Sequence, residues 1–254
     1  MLLAVDVGNT QTCIGVFEQD TLRSNWRIST NKDETADEVA VTIADLLHLE
    51  GLTLSSITAA IISSVVPHCT AAYEEMVRKN LKFEPLIVGP GVKTGLPILY
   101  DSPHEVGADR IVNAVAAFEL YGGPIIVVDF GTATTFDVIS EKGEYLGGAI
   151  APGVEVSAEA LFEAAAKLSR VDLVKPPSAI GKNTRASLQA GIIFGTVGQV
   201  EEIVSKITKE IGLNCFVVAT GGLAELIAPE CKSINKIDLL LTMIGLKKIY
   251  EKNQ

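Results

Sequence analysis

Asp129, Gly131, Thr132, Thr134 and Thr135 follow directly on the apolar run Ile125–Val128. One carboxylate, one glycine and three hydroxyls at a strand's end suit phosphate chemistry. The hydroxyls donate to phosphate oxygens, glycine lets backbone N–H groups come close, and the carboxylate can hold a cation. An ordinary turn has a similar composition, so this stretch alone leaves both readings open. A second set is Asp6-Val7-Gly8-Asn9-Thr10. A third is Gly107-Ala108-Asp109-Arg110, and a fourth is Thr220-Gly221-Gly222.

The elements that must position these residues alternate between β and α. Four consecutive β-branched residues at 125–128 predict a strand covered on both faces. Strands are likewise expected at 2–5, 14–17, 26–30, 59–66, 86–88, 136–139, 145–150 and 215–219, with residues 8–13 as a hairpin turn. Apolar residues at helical spacing predict helices over 35–48, 71–81, 108 to about 121, 155–168 and 238–251. A further helix is expected over about 185–211, with Gly191, Gly195 or Gly198 able to interrupt it. Residues 89–103, rich in proline and glycine, read as an irregular connection carrying Tyr100.

Hydrophobic residues make up 48% and charged residues 20% of the 254, a globular composition for one large or two compact domains. The net charge of −10 disfavours nonspecific binding of nucleic acid or anionic membrane. It leaves room for a local basic site that takes an anionic substrate. Cys13, Cys69, Cys215 and Cys231 are widely spaced, with neither a C-x-x-C nor a metal-ligand pattern, which points to reduced thiols in a cytoplasmic protein. The opening Met1–Val5 meets Asp6 too soon for a secretory leader and reads as a first strand. No apolar run is long enough to span a bilayer.

VDVGNT at 5–10 is echoed by VDFGTAT at 128–134, almost half the chain later. Each copy sits in the same order of elements: strand, acidic turn, strand, turn, strand, helix. The expectation is therefore two related domains, 1–117 and 118–254, facing a central cleft. Two facing strand turns can hold a triphosphate from both sides. The P-loop pattern G-x-x-x-x-G-K-[ST] is absent, and so is G-x-G-x-x-G after a strand.

Asp-x-Gly-x-Thr, then Asp-x-Gly-Thr-x-Thr, then a late Thr-Gly-Gly resemble the actin, sugar-kinase and heat-shock-chaperone ATPase superfamily. Gly107-Ala108-Asp109-Arg110, DFGTATT, GGAIAPG at 147–153 and Gly181-Lys182-Asn183-Thr184 narrow this to a resemblance to type III pantothenate kinase, running from Leu2 to about Ile244. The fold it implies is α/β, two ribonuclease-H-like (actin-like ATPase) domains. The activity it implies is ATP-dependent phosphorylation of pantothenate to 4'-phosphopantothenate, the first step of coenzyme A synthesis. It further implies Mg2+ with ATP, a monovalent cation (K+ or NH4+) and a homodimer.

The resemblance also assigns residues. Asp6, Val7, Gly8, Asn9, Thr10, Gln11, Thr12 and Cys13 form the first ATP-binding loop. Asp6 orients magnesium through water; the side chains of Gln11, Thr12 and Cys13 carry no individual role. Thr132 is an ATP contact, Asp129 the metal ligand for the monovalent cation, and Thr220-Gly221-Gly222 lies near the adenosine. Asp109 is the general base, although from the residues alone it reads first as a carboxylate complementing a helix N-terminus. Arg110 pairs with the pantothenate carboxylate. Tyr100, Thr184 and the backbone of Gly107 and Ala108 contact substrate, while Thr184 reads equally well as a helix N-cap. The helix 155–168 helps build the dimer. His48, His68 and His104 receive no role. Two other readings stand beside this one: a catalytically inactive regulatory relative, and another small-molecule kinase of the superfamily.

Overall fold

The computed structural model describes residues 1–165 and 168–254. Contacts group the chain into two units. The first comprises Met1–Leu96, Asp101–Ala116 and Leu241–Gln254; the second comprises Pro97–Tyr100 and Ala117–Leu240.

The first unit opens with an antiparallel meander of β1 (Leu2–Val7), β2 (Gln11–Glu18) and β3 (Thr21–Ser29). The helix α1 (Ala36–Leu49) follows. Its N-cap Thr35 forms a capping box with Glu38, which satisfies two backbone donors that a helix start leaves open. The next strand, β4 (Ala59–Ser64), lies parallel to β1, as a helical crossover allows. Then come α2 (Pro67–Met76), a π-helical turn Val77–Leu81, and β5 (Leu86–Ile87) parallel to β4. The helix α3 (Ala108–Tyr121) starts in the first unit and ends in the second.

The second unit repeats the plan. A meander of β6 (Ile125–Phe130), β7 (Ala133–Ile139) and β8 (Tyr145–Pro152) leads into α4 (Val154–Ala164) and α5 (Thr184–Ile211). The strand β9 (Phe216–Thr220) is parallel to β6. After α6 (Ala224–Ile227), β10 (Lys236–Ile237) is parallel to β9. The sheet orders are β3-β2-β1-β4-β5 and β8-β7-β6-β9-β10. Both are a three-strand meander extended past its first strand by two parallel strands. The internal repeat read from twelve or so residues is thus a repeat of topology.

Leu3, Val5 and Val7 of β1 pack with Val39, Ile43 and Leu47 of α1 and with Tyr73 and Met76 of α2. Ile126, Val128 and Phe130 of β6 pack with Ile193, Val200 and Val204 of α5 and Ile227 of α6. Each such fully buried side chain contributes about 1.5–3 kcal/mol, so the central strand of each sheet is its most firmly held element. The last helix, α7 (Leu241–Lys252), packs on β1, β2 and β4, with Met243 over Gly15. A helix is expected here from 238, within the second domain. It begins at Leu241 and belongs with the first unit.

Other boundaries differ from expectation for local reasons. The expected turn 8–13 is shorter, because Gln11, Thr12 and Cys13 already pair with β3 and β1. The helix expected from 71 starts at Pro67, whose fixed φ suits a first helical position. Gly191, Gly195 and Gly198 do not interrupt α5, which is continuous. The helix expected over 155–168 ends at Ala164, and its positions 166–167 lie outside the described residues.

Candidate active site

In the first unit Asp6 lies near the end of β1, opposite Cys13 on one side and Ser63 on the other. Residues opposed in register point to the same face of a sheet. Asp6 is half-buried, and the Ser63 hydroxyl beside it is buried with no hydrogen-bond partner among the described residues. A carboxylate and a buried hydroxyl still in need of a partner fit a hydrated divalent cation, which brings water as ligand. Beyond Asp6 the chain turns at Gly8, whose N–H donates to the Gln11 carbonyl at 3.0 Å. Asn9, Thr10 and Gln11 are exposed, and Val7 is buried.

Thr30 holds this turn from behind. Its hydroxyl donates to the Gly8 carbonyl at 2.8 Å, and its N–H donates to the Thr10 carbonyl at 2.9 Å. With that proton committed, the 2.9 Å contact to Thr12 makes Thr12 the donor to Thr30. Thr12 is buried, so its hydroxyl shapes the loop. The sequence reading passed over Thr30; a hydroxyl directly after a strand that pairs with the glycine turn was the available signal.

The N-terminus of α3 supplies the second group. The Asp109 carboxylate accepts the backbone N–H of Arg110 at 2.8 Å. A Cβ on Gly107 would stand 2.5 Å from Asp109 Oδ1, so only glycine leaves the carboxylate its place. Burial pushes the Asp109 carboxyl above the ordinary range, against the pull of the Arg110 N–H and guanidinium. Ala108 begins the helix, and Arg110 is 8% exposed. Val65 ties this corner to the first turn, since its N–H donates to the Val7 carbonyl at 3.1 Å and its Cγ1 lies near Gly107. Asp6–Gly8 and Gly107–Arg110 are therefore neighbours within one unit.

In the second unit Asp129 pairs in register with Thr135 and Thr220. The turn after it mirrors the first, with the Gly131 N–H donating to the Ala133 carbonyl at 3.1 Å and Thr132 exposed. Two further glycines crowd this turn. Gly221 is so close that a Cβ would collide with Asp129 Oδ1 and the Phe130 N–H, and Gly153 abuts the carbonyls of Gly131 and Thr132. Gly153 is also the N-cap of α4. The Asp129 carboxylate therefore lies against bare backbone, and the N-cap of α4 packs against the carbonyls of this turn.

Thr184 is the first residue of α5, and Asn183 caps the helix by accepting the Ala186 N–H at 2.8 Å. The N-cap alternative for Thr184 therefore falls to its neighbour. Thr184 instead lines a groove of about 560 Å3 between α4 and α5, with Pro152, Leu161, Leu188, Gly191 and Gly195. Tyr100 lies apart from this groove, beside Tyr145 and Gly147 of β8. Among the described residues no three His, Cys, Asp or Glu side chains converge as a metal cluster, and no helix is long and apolar enough to cross a membrane.

Two strand turns are thus built alike, and a buried acid stands beside an arginine. The family model of type III pantothenate kinase matches residues 2–206. The chain belongs to the type III pantothenate kinase family. A type III pantothenate kinase of Moorella thermoacetica is 56% identical over 253 residues, covering 100% of both chains. Among solved structures, a conserved Baf-family protein of Campylobacter jejuni, put forward as a transcriptional activator, superposes with a TM-score of 0.62 at 21% identity, over 99% of this chain and 98% of that one. A ROK hexokinase of Thermus thermophilus superposes with a TM-score of 0.55 at 12% identity, over 100% of this chain and 99% of that one. At such identities the structures speak for the fold alone: the kinase has the two-domain α/β, ribonuclease-H-like architecture of sugar kinases and actin-like ATPases.

Proposed function

We propose that Asp109 and Arg110 carry the reaction that family membership assigns to this chain: ATP-dependent phosphorylation of pantothenate to 4'-phosphopantothenate in coenzyme A biosynthesis. The observation that carries this reading is the Asp109 carboxylate, fixed over Gly107 by the Arg110 N–H and raised in basicity by burial. A carboxylate so placed accepts the proton of the substrate's primary hydroxyl as the oxygen attacks the γ-phosphorus of ATP and ADP leaves. Arg110 pairs with the pantothenate carboxylate, a match to a planar guanidinium. Tyr100, Thr184 and the backbone of Gly107 and Ala108 complete the substrate contacts.

The Asp6–Cys13 loop and Thr132 hold ATP by exposed hydroxyls and backbone N–H groups. Asp6 would hold the magnesium that accompanies ATP, which would offset phosphate charge. Asp129 takes the monovalent cation, potassium or ammonium.

The kinase acts as a cytoplasmic homodimer in this reading. Three features support the pairing of chains along α4 and α5: the groove described above, the exposure of Val156 and Leu161 (47% and 41%), and the bare surface around Gly191, Gly195 and Gly198. Glycine in a helix interior costs about 1 kcal/mol relative to alanine, and close approach of a second helix offsets that cost. No disulfide joins the four cysteines.

Release of ADP from ATP and pantothenate, followed with and without potassium, tests the whole reading. Turnover that requires pantothenate and rises with potassium is expected. Absence of turnover with either cation overturns it.

A further inference from the structure

Asp137 is fully buried in β7, yet it is a carboxylate, and the reaction as derived above has no use for it. Its Oδ1 accepts the Tyr145 hydroxyl at 2.7 Å, and its Oδ2 accepts the Thr135 hydroxyl at 3.0 Å. A buried carboxylate is costly even when bonded, and an apolar residue of similar volume generally serves stability as well or better. The shorter of the two bonds fixes the hydroxyl of an aromatic ring. Tyr145 is completely buried, and its hydroxyl is drawn to Asp137.

Tyr145 also grips the segment before Tyr100. Its N–H donates to the Pro97 carbonyl and its carbonyl accepts the Leu99 N–H, both at 2.8 Å, while Ile98 bridges to it. The Tyr100 ring then lies 6.4 Å from the Tyr145 ring, tilted by 58°. Two residues along β8 stands Gly147, at φ +111, where a Cβ would come within 3.2 Å of the Tyr100 ring. Tyr100 is thus held by backbone bonds on the residues before it and packed beside Tyr145 and a position without a side chain.

We propose that Asp137, Tyr145 and Gly147 are positioning residues for substrate selection, which act through Tyr100 by fixing where its ring and hydroxyl stand. The proposal rests on Tyr100 being a substrate contact. Asp137 anchors the Tyr145 ring, Tyr145 anchors the 97–99 segment, and Gly147 leaves room for the Tyr100 ring. The chain of contacts acts on pantothenate binding through Tyr100.

Steady-state kinetics of Tyr145→Phe, Tyr100→Phe and the double variant test this. Tyr145→Phe keeps the ring and removes its tether. Its KM for pantothenate should rise about three- to tenfold, the range of one weakened hydrogen bond, with kcat and the KM for ATP held within about twofold. In the Tyr100→Phe background the same change should add less than about twofold, because the two act in series. A lowered melting temperature with an unchanged pantothenate KM would make Tyr145 purely structural and overturn the proposal. So would fully multiplicative effects in the double variant. A Tyr100→Phe variant with an unaltered pantothenate KM removes the Tyr100 hydroxyl as a contact, a failure distinct from that of Tyr145. Should Tyr145→Phe not fold, Gly147→Ala leaves the Asp137–Tyr145 bond in place and sets a methyl against the Tyr100 ring. The same rise in KM and the same lack of additivity are then expected, and their absence overturns the proposal.

Discussion

Gly221 meets Asp129 through the side of its Cα that carries no side chain, and its φ of +96° lies where side-chain-bearing residues are strained. Phe130 closes the gap from behind. The late Thr-Gly-Gly motif is thereby joined to the DFGTATT turn. In Gly221→Ala the new methyl must displace the carboxylate or the backbone. Stability should fall by about 1–3 kcal/mol, and the response of activity to potassium should weaken markedly. A denaturation midpoint and a potassium titration read the two effects. A normal potassium response in a destabilised variant would detach the cation from Asp129.

Asp109→Asn retains the shape and the bond from the Arg110 N–H but no longer accepts a proton. Its kcat should drop about 10²- to 10⁴-fold, the usual range for a lost general base, with ATP still bound. Fluorescence or calorimetric titration of ATP separates the two. Near-normal turnover would move the proton-accepting role to another group.

The same carboxyl has a raised folded-state pKa, with burial as the main cause. The native chain therefore keeps a proton there at pH values where the unfolded chain has released it. Stability gained from this group is complete below the ordinary carboxylate pKa and is lost as pH rises through the raised native value. At neutral pH Asp109→Asn should thus melt above the wild type, with the gap closing in acid. Thermal unfolding across that range checks it, and the acid limb of kcat/KM should lie above the ordinary carboxylate range for the same reason.

Gly195 has open space where its side chain would be. Within one chain a Cβ there meets no neighbour within 4 Å, and Gly195→Leu improves the helix propensity of α5. If a second copy packs there, the same change should yield monomers in light scattering with undiminished helical circular dichroism. A wild-type chain that is already monomeric would refute the pairing.

Much of this was legible in the residues. The runs Leu2–Val5 and Ile125–Val128 announce buried strands because side-chain pattern and β-branching act over a few positions. Each Asp-x-Gly turn alone could be an ordinary turn, and the two stand out because the same combination recurs in the same order of elements. Their echo predicted a doubled topology, and the matching sheet orders show it. What stayed hidden depends on partners far along the chain. Thr12 and Cys13 read as turn residues until β3 pairs with them. Thr184 read equally well as a cap of α5 until the backbone placed the Asn183 oxygen at the Ala186 N–H.

The sequence by itself determined the family, the reaction and the two turns, since these rest on short motifs whose residue types are dictated by chemistry. Only the tertiary structure decided that α7 returns to the first unit, that Val65 links Val7 to Gly107, and that a buried Asp137 tethers Tyr145 beside Tyr100. The physical reason is range. Motifs and periodicity are local properties of the chain, whereas burial and close approach are chosen by the whole chain at once, from residues that have no sequence relation to one another.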